Sequence, residues 1–363
     1  MYVFIFVILV ITLTTIVIIN QAQFGKLPSG KRMDRIKQSS HYIDNQFYNI
    51  NSTPTFTEGI SKYEMIRDGI FKINKRKAPG TSLPSIKTDL KNLDPEKNLL
   101  IWFGHSSYFL QIDGKKILVD PVFSGHASPF SFMVKSFKGS NIYTPKDFPE
   151  INYLFITHDH WDHLDYQTLM KLKLKVGKII TGLGTGAHLE HWGFERNKIV
   201  ELDWFDQTVV DSGFIVAATP GRHFTGRTFK RNQTLWCSFV LQTPSKKIFI
   251  GGDSGYDTHF AKIGSEYGPF DLALLECGQY NKSWKYIHSM PEQTVQAAID
   301  LKTKFLMPVH WKFALALHSW DEPIIRITNE AHRLNVPIIH PMIGELVDLN
   351  IFCEKDEWWK ELN

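Results

Sequence analysis

Residues 2–19 contain no charged side chain and are almost wholly Val, Ile, Leu, Phe and Thr. A run of that length just reaches across a bilayer core. From residue 21 to about 96 the pattern turns polar, with scattered Asn, Ser, Thr, Pro and Lys and a short helix predicted at 61–71. Beyond it the apolar runs are short and evenly separated. Strands are predicted at 98–103 and 107–112, with Asp113-Gly114 as a hairpin turn into a third strand at 116–121, stopped by Pro121. The apolar run 151–156 reads as a buried strand, and a helix is expected through 166–173. Further strands are expected at 214–220, 247–252 and 305–309. Consecutive hairpins followed by strand–helix units predict a layered α/β domain with mixed sheets.

The apolar start reads as an uncleaved single-pass anchor. No Lys or Arg precedes it, and Ala22 has Asn20 two positions before it, so the small-residue cleavage pattern of a signal peptide is missing. A signal peptide that exports the chain is the alternative. Lys26, Lys31, Arg32, Arg35 and Lys37 follow the run and put that side in the cytoplasm. The expected organisation is an anchor over 1–22, a polar juxtamembrane segment packing on the domain over 23–96, and a catalytic domain over 97–363.

Composition narrows the field only a little. The chain has 363 residues, 43% hydrophobic and 21% charged, ordinary for a globular protein. A net charge of +4 with no arginine-rich run gives no footprint for nucleic acid. Cys237, Cys277 and Cys353 are three and far apart, which describes neither a disulfide framework nor a thiolate metal site. The Trp358-Trp359 pair packs on the domain or touches membrane, and packing is the commoner fate of Trp.

The chemistry concentrates after the 151–156 strand. His158, Asp159, His160, Asp162, His163 and Asp165 fall within one loop. Neutral imidazole and carboxylate are ligands for zinc, manganese or iron(II). The spacing suggests two metals, because His158 and His160 share one direction while the adjacent Asp162 and His163 must swing toward another. The competing reading makes Asp162 a helix cap. His223, Asp253 and His310 are each the first His or Asp after an apolar strand, so each is a further candidate ligand. Asp120 ends a strand, where a carboxylate orients a ligand histidine. His105 is either such a supporting group or a polar turn residue. The glycine-rich run 182–186 is no phosphate-binding Walker loop and reads as a flexible connection.

The motifs Gly104-His105-Ser106-Ser107, Asp120-Pro121-Val122-Phe123-Ser124 with Ala127-Ser128-Pro129, the His158 cluster, Gly252-Asp253-Ser254-Gly255-Tyr256, Gly268-Pro269-Phe270-Asp271 and His310-Trp311 resemble the metallo-β-lactamase fold hydrolases. Within them the chain resembles the N-acylphosphatidylethanolamine-hydrolysing phospholipase D group and its bacterial relatives, over roughly residues 98–349. The resemblance implies an αββα sandwich with a dinuclear site at one edge, preceded here by the transmembrane segment. It implies His158, His160 and His223 on one metal, Asp162, His163 and His310 on the other, and Asp253 bridging. His288 matches a histidine near the substrate phosphate, so Asp253, Asp162 and His288 are the implied catalytic groups. The chain departs from the pattern between 130 and 148 and in the glycine-rich run.

The implied reaction is hydrolysis of an N-acylphosphatidylethanolamine-like phospholipid to phosphatidic acid and N-acylethanolamine, with a water activated between two divalent cations. Zinc fits the ligands, and manganese and iron(II) also accept them. The implied partners are a phospholipid substrate and the membrane, with no nucleic acid; a homodimer is left open. Two other readings stand beside it: a same-fold hydrolase of a soluble lactone or small phosphodiester, and a membrane-anchored binding protein with an inactive site.

Overall fold

The structure is a computed structural model describing residues 1–363 except 60, 62, 64–66, 68–73, 314, 317, 352–355 and 363. Most of the helix expected at 61–71, and Cys353, fall outside the described residues. A small hairpin, β1 (Tyr42–Ile43) with β2 (Gln46–Phe47), precedes the sandwich. Strands β3 (Leu99–Trp102), β4 (Tyr108–Ile112), β5 (Lys115–Val119), β6 (Ile151–Ile156), β7 (Val176–Gly182) and β8 (Ile199–Leu202) follow. Next come β9 (Gln207–Asp211), β10 (Phe214–Thr219), β11 (Ser238–Gln242), β12 (Lys247–Ile250), β13 (Leu272–Glu276), β14 (Leu306–Val309) and β15 (Leu346–Asp348). Among the described residues they form a seven-stranded sheet, ordered β15–β3–β4–β5–β6–β7–β8, and a six-stranded sheet, ordered β14–β13–β12–β11–β10–β9.

Strand alternation builds two cores at once, because successive side chains point to opposite faces. Leu100, Trp102, Leu110, Ile117, Val119 and Phe155 face the second sheet, and Phe155 meets Phe239 edge-on at 5.4 Å. Ile101, Phe103, Phe109, Leu118, Leu154 and Ile156 face outward, under Leu169, Leu172 and Leu189 of the helices Tyr166–Leu172 and Gly186–His191. On the other side Ile263, Val295, Ile324 and Ile327 of three helices join the cluster holding Leu274 and Met307. The order is helix, sheet, sheet, helix.

The turn at Asp113-Gly114 has φ of 48° and 74°, the left-handed pair of a type I′ hairpin. The helix after the histidine loop is capped by Asp165, whose side chain accepts from Gln167 N, so Asp162 is free for other work. Strand direction then gathers the chemistry. β5 and β6 run parallel, as do β12, β13 and β14, and β10 points with β12 because β11 is antiparallel to both. The carboxyl ends of all these strands lie at one edge, where Asp120, Thr157, His223, Asp253, Glu276 and His310 emerge. Carboxyl ends of parallel strands are where α/β folds place ligands.

The apolar run is an 18-residue helix, Tyr2–Ile19, with a mean hydropathy of 3.0 and no buried residue. The segment behind it docks on the sandwich. Arg32 is buried, donating to Glu201 Oε2 and to Glu190 Oε2 at 2.8 Å each. It is therefore an internal ion-pair partner rather than a free charge at a membrane surface. Glu201 Oε1 also accepts the amides of Gly184 and Gly186, at 2.8 and 3.1 Å. The glycine-rich run is thus a buried, carboxylate-bound turn, a correction to the flexible connection expected of it. Trp359 is fully buried and Trp358 stacks on Trp311 at 5.5 Å. Cys237 and Cys277 are buried, and burial pushes both thiols well above their ordinary pKa.

Candidate metal centre

Two groups of side chains converge at this edge. In the first, His160 Nδ1 lies 2.9 Å from His158 Nε2 and 3.1 Å from His223 Nε2. Asp253 Oδ2 completes it at 3.8 Å from His158 Nε2 and 3.7 Å from His223 Nε2. In the second, His163 Nε2 and His310 Nε2 face each other at 3.3 Å, and Asp162 Oδ2 sits 3.2 Å from His310 Nε2. Asp253 belongs to both, since its Oδ1 is 3.2 Å from His163 Nε2 and its Oδ2 is 3.2 Å from His310 Nε2. All seven residues singled out as candidate ligands are brought together.

Hydrogen bonds behind the rings fix which nitrogens face inward. His223 Nδ1 donates to the carbonyl of Ile287 at 2.8 Å, leaving a bare lone pair on Nε2. Thr157 Oγ1 donates to Asp120 Oδ2 at 2.6 Å, so it accepts from His158 Nδ1 at 3.1 Å and His158 Nε2 is also bare. His163 Nδ1 donates to Asp120 Oδ2 at 2.8 Å. Lone pairs of several rings therefore point at each other, an arrangement that repels unless a cation lies between them. Asp253 Oδ1 is buried and accepts no hydrogen bond. A buried bare carboxylate oxygen beside bare imidazole nitrogens fits divalent metal, and supporting carboxylates of the Asp120 kind are what metal histidines take.

The electrostatics agree. Burial holds His158, His223 and His310 well below the ordinary histidine pKa, so they are neutral, as ligation requires. Burial acts on His163 too, but Asp253, Asp162 and Asp120 outweigh it and hold its pKa well up. Three buried carboxylates thus draw positive charge to this point. His105 is fully buried and its Nε2 is 3.0 Å from Asp162 Oδ2, which makes it a support for Asp162 rather than a turn residue.

The family model described as the beta-lactamase superfamily domain matches residues 115–311. An uncharacterized protein of Mycobacterium tuberculosis is 35% identical over 329 residues, 89% of this chain and 88% of that one. The chain belongs to the metallo-β-lactamase superfamily. The N-acyl-phosphatidylethanolamine-hydrolyzing phospholipase D 1 of Caenorhabditis elegans is 27% identical over 271 residues, covering 67% of this chain and 75% of that one. A novel metallo hydrolase from the archaeon Ignicoccus hospitalis shares the fold, with a TM-score of 0.52, 22% identity and coverage of 69% and 97%. The superfamily and the phospholipase D relative support a hydrolase that uses divalent metal, and the buried His and Asp groups are of the kind that could hold it.

Sequence reasoning passed over Glu276. Its Oε2 lies 2.6 Å from His288 Nδ1 and 3.5 Å from His310 Nδ1, while Oε1 accepts the amides of Ser254 and Ser289. It stands at the end of β13, so the rule that picked out Asp253 and His310, a metal-type residue closing an apolar strand, would have found it. Burial raises its pKa to about 7. His288 is itself lowered by burial, but Glu276, with Asp253 and Asp162 behind it, more than reverses this and carries it to about 9. Arg227 was also missed: its Nη1 donates to the carbonyls of Asp159 and Leu164, holding both ends of the histidine loop. An isolated Arg in a polar loop gives no sequence signal for that role.

Beside the metal-type residues lies a cavity of about 270 Å³. His160, Asp162, Asp253, His288 and His310 form its floor, and Phe56, Phe224, Trp284, Ile287, Leu315 and Ala316 its apolar wall.

Proposed function

We propose that the protein is a phosphoric diester hydrolase of the phospholipase D type, acting on N-acylphosphatidylethanolamine-like lipids, and that residues 97–363 carry the activity. The observation that carries this reading is the apolar wall standing directly against paired His/Asp groups that share Asp253. A soluble sugar-phosphate lactone would call for a polar enclosure, whereas an acylated headgroup brings a phosphodiester and an aliphatic chain to the same place. The relatives named for N-acylphosphatidylethanolamine hydrolysis support the same substrate class.

In this reading His158, His160 and His223 hold one cation, Asp162, His163 and His310 the other, and Asp253 both. Zinc is the proposed metal, by its fit to imidazole and carboxylate. Two bound cations would lower the pKa of a shared water and neutralise the nonbridging phosphate oxygens. Asp120 and His105 keep the His163 ring and the Asp162 carboxylate oriented. The His288 imidazolium, held by Glu276, lines the cavity and donates a proton to the departing alkoxide of the N-acylethanolamine. Phe224, Trp284 and Leu315 exclude water and take the acyl chain. The Tyr2–Ile19 helix acts as a single-pass anchor, with the polar segment to residue 96 docking on a cytoplasmic catalytic domain near the lipid headgroups.

The test is metal content and hydrolysis on the full chain in detergent. About two metals per chain and chelator-sensitive release of N-acylethanolamine from mixed micelles are expected. Two metals with no release from lipid, but turnover of a soluble phosphodiester, would overturn the substrate.

A further inference from the structure

We propose that two loops, residues 126–135 and 224–231, form a second bilayer contact beside the apolar helix, so that the helix and these loops together turn the mouth of the metal cavity toward the lipid. The inference rests on reading the Tyr2–Ile19 helix as a membrane anchor.

The two loops meet at Gln23, four positions beyond the end of that helix. Gln23 Nε2 lies 3.5 Å from the carbonyl of Pro129, and the carbonyl of Gln23 accepts from Arg227 Nη2 at 2.7 Å and Nε at 3.2 Å. Whatever surface the helix end approaches, these loops approach with it.

Their tips are apolar and exposed. Phe132 is 74% and Phe229 82% exposed, and Met133 is exposed beside them. The first tip is built to project. Val134 O accepts from Ala127 N, and Ser128 Oγ donates to the carbonyls of Phe130 and Met133. Met133 N donates to Phe130 O, and the Phe130 and Phe132 rings stack at 5.7 Å. A preorganised turn that holds the Phe132 ring in water, stacked on a half-buried Phe130, is a costly surface feature unless something covers it.

Charge names the cover. Residues 20–31, 126–135 and 224–231 contain no Asp or Glu, yet carry exposed Lys26, Lys31, Lys135, Lys230 and Arg231. Aromatic tips ringed by cations match the interface of a bilayer with anionic lipid. The second loop also reaches the chemistry. Phe224 and Arg231 line the cavity, with the Arg231 guanidinium 4.9 Å from the Phe224 ring and that ring 4.6 Å from His160. One loop thus runs from the lipid surface to the metal-type residues, giving a headgroup a path that never leaves the interface.

The test uses the full chain in liposomes of phosphatidylcholine and phosphatidylglycerol, on a Cys353→Ser background in which Cys237 and Cys277 are buried. An environment-sensitive dye is attached at Phe132→Cys, Phe229→Cys, Ile11→Cys within the helix, and Leu174→Cys, which is 91% exposed at the opposite edge of the sheet. Nitroxide carried on the lipid is expected to quench the dye at 132, 229 and 11 several-fold more than at 174. Quenching at 11 but not at 132 or 229 would overturn the second contact while keeping the anchor. Quenching at none of the sites would overturn both. Dye at 132 and 229 that reports a neighbouring chain instead of lipid would assign the face to a second copy, and would also overturn the proposal.

Discussion

Glu276 Oε2 stands 2.6 Å from His288 Nδ1 at the floor of the cavity, so a buried carboxylate sets the charge of the one histidine there that is not among the candidate ligands. Glu276, with Asp253 and Asp162 behind it, raises the His288 pKa to about 9 against the lowering by burial. A raised histidine pKa means the imidazolium is present below that value and is lost as pH rises through it. Activity that needs a proton from His288 therefore falls on the alkaline side. Replacing Glu276 with Gln removes the charge that raises the pKa, so the alkaline fall should move to lower pH. Turnover at neutral pH should drop about 10- to 100-fold. A pH–rate profile checks this. A mutant with lower kcat but an unmoved alkaline limb would show Glu276 acting only on the fold or on His310.

Asp253 is the side chain whose two oxygens serve both groups, within 3.2 Å of His163 and of His310. An Asn there keeps the shape but supplies one neutral oxygen and a donor amide aimed at imidazole. Asp253→Asn should lose at least one metal and about 1,000-fold or more in kcat, with circular dichroism unchanged. Asp162→Asn should spare the first group and lose metal from the second. Metal counted per folded chain distinguishes the two, and normal turnover by Asp253→Asn would sink the dinuclear reading.

The cavity wall should set the preference for acyl chains. Trp284 and Leu315 line the cavity and are apolar, so they supply no ligand atom themselves. Trp284→Ala or Leu315→Ala removes apolar surface that an acyl chain would bury, about 1–3 kcal/mol at most. Values of kcat/KM for a long-chain N-acyl lipid should fall about tenfold, while a small soluble phosphodiester is cleaved as before. Equal losses on both substrates would place the acyl chain elsewhere.

The sandwich and the seven candidate ligands were legible because both rest on local pattern. Apolar runs of five or six residues mark strands, and strand direction puts their last polar residue at a common edge, as His223, Asp253 and His310 illustrate. Strands such as β7 and β13 were left unread. The supporting groups were harder. Asp120 and Glu276 could be suspected from their position at strand ends, but the partner each serves, His163 or His288, is set by packing between distant segments. The glycine-rich turn misled because its partner, Glu201, lies in another strand and its amides look free in sequence. Arg32 misled in the same way, a charge counted for topology that is spent on two internal carboxylates.

The segment just past the apolar helix should be part of the metal centre's support, and Arg227 is the link. Its guanidinium lies 3.7 Å from the Trp161 ring and donates at once to the carbonyls of Asp159, Leu164 and Gln23. Phe24 packs edge-on against the same Trp161 at 5.2 Å, and the carbonyl of Ala22 accepts from Trp192 Nε1 at 2.7 Å. Further along, Lys26 N donates to His188 Nδ1 at 3.0 Å, and His188 Nε2 lies 3.3 Å from Asp159 Oδ2. Lys has a single ammonium and cannot span three carbonyls, so Arg227→Lys leaves buried acceptors unpaired at a cost of about 3 kcal/mol. Deleting residues 1–26 removes a different set, the carbonyls of Ala22 and Gln23, the Phe24 ring and the Lys26 amide, and so strips partners from Trp192 Nε1, Arg227, Trp161 and His188, whereas deleting 1–19 leaves every one of these contacts in place. A chain starting at residue 20 should therefore hold metal as the full chain does. The chain starting at residue 27 and the Arg227→Lys variant should both release it faster to a chelator and melt earlier. Equal chelator release rates for all four proteins would show that the loop keeps its shape without the strap, and that cleavage near residue 22 would cost the centre nothing.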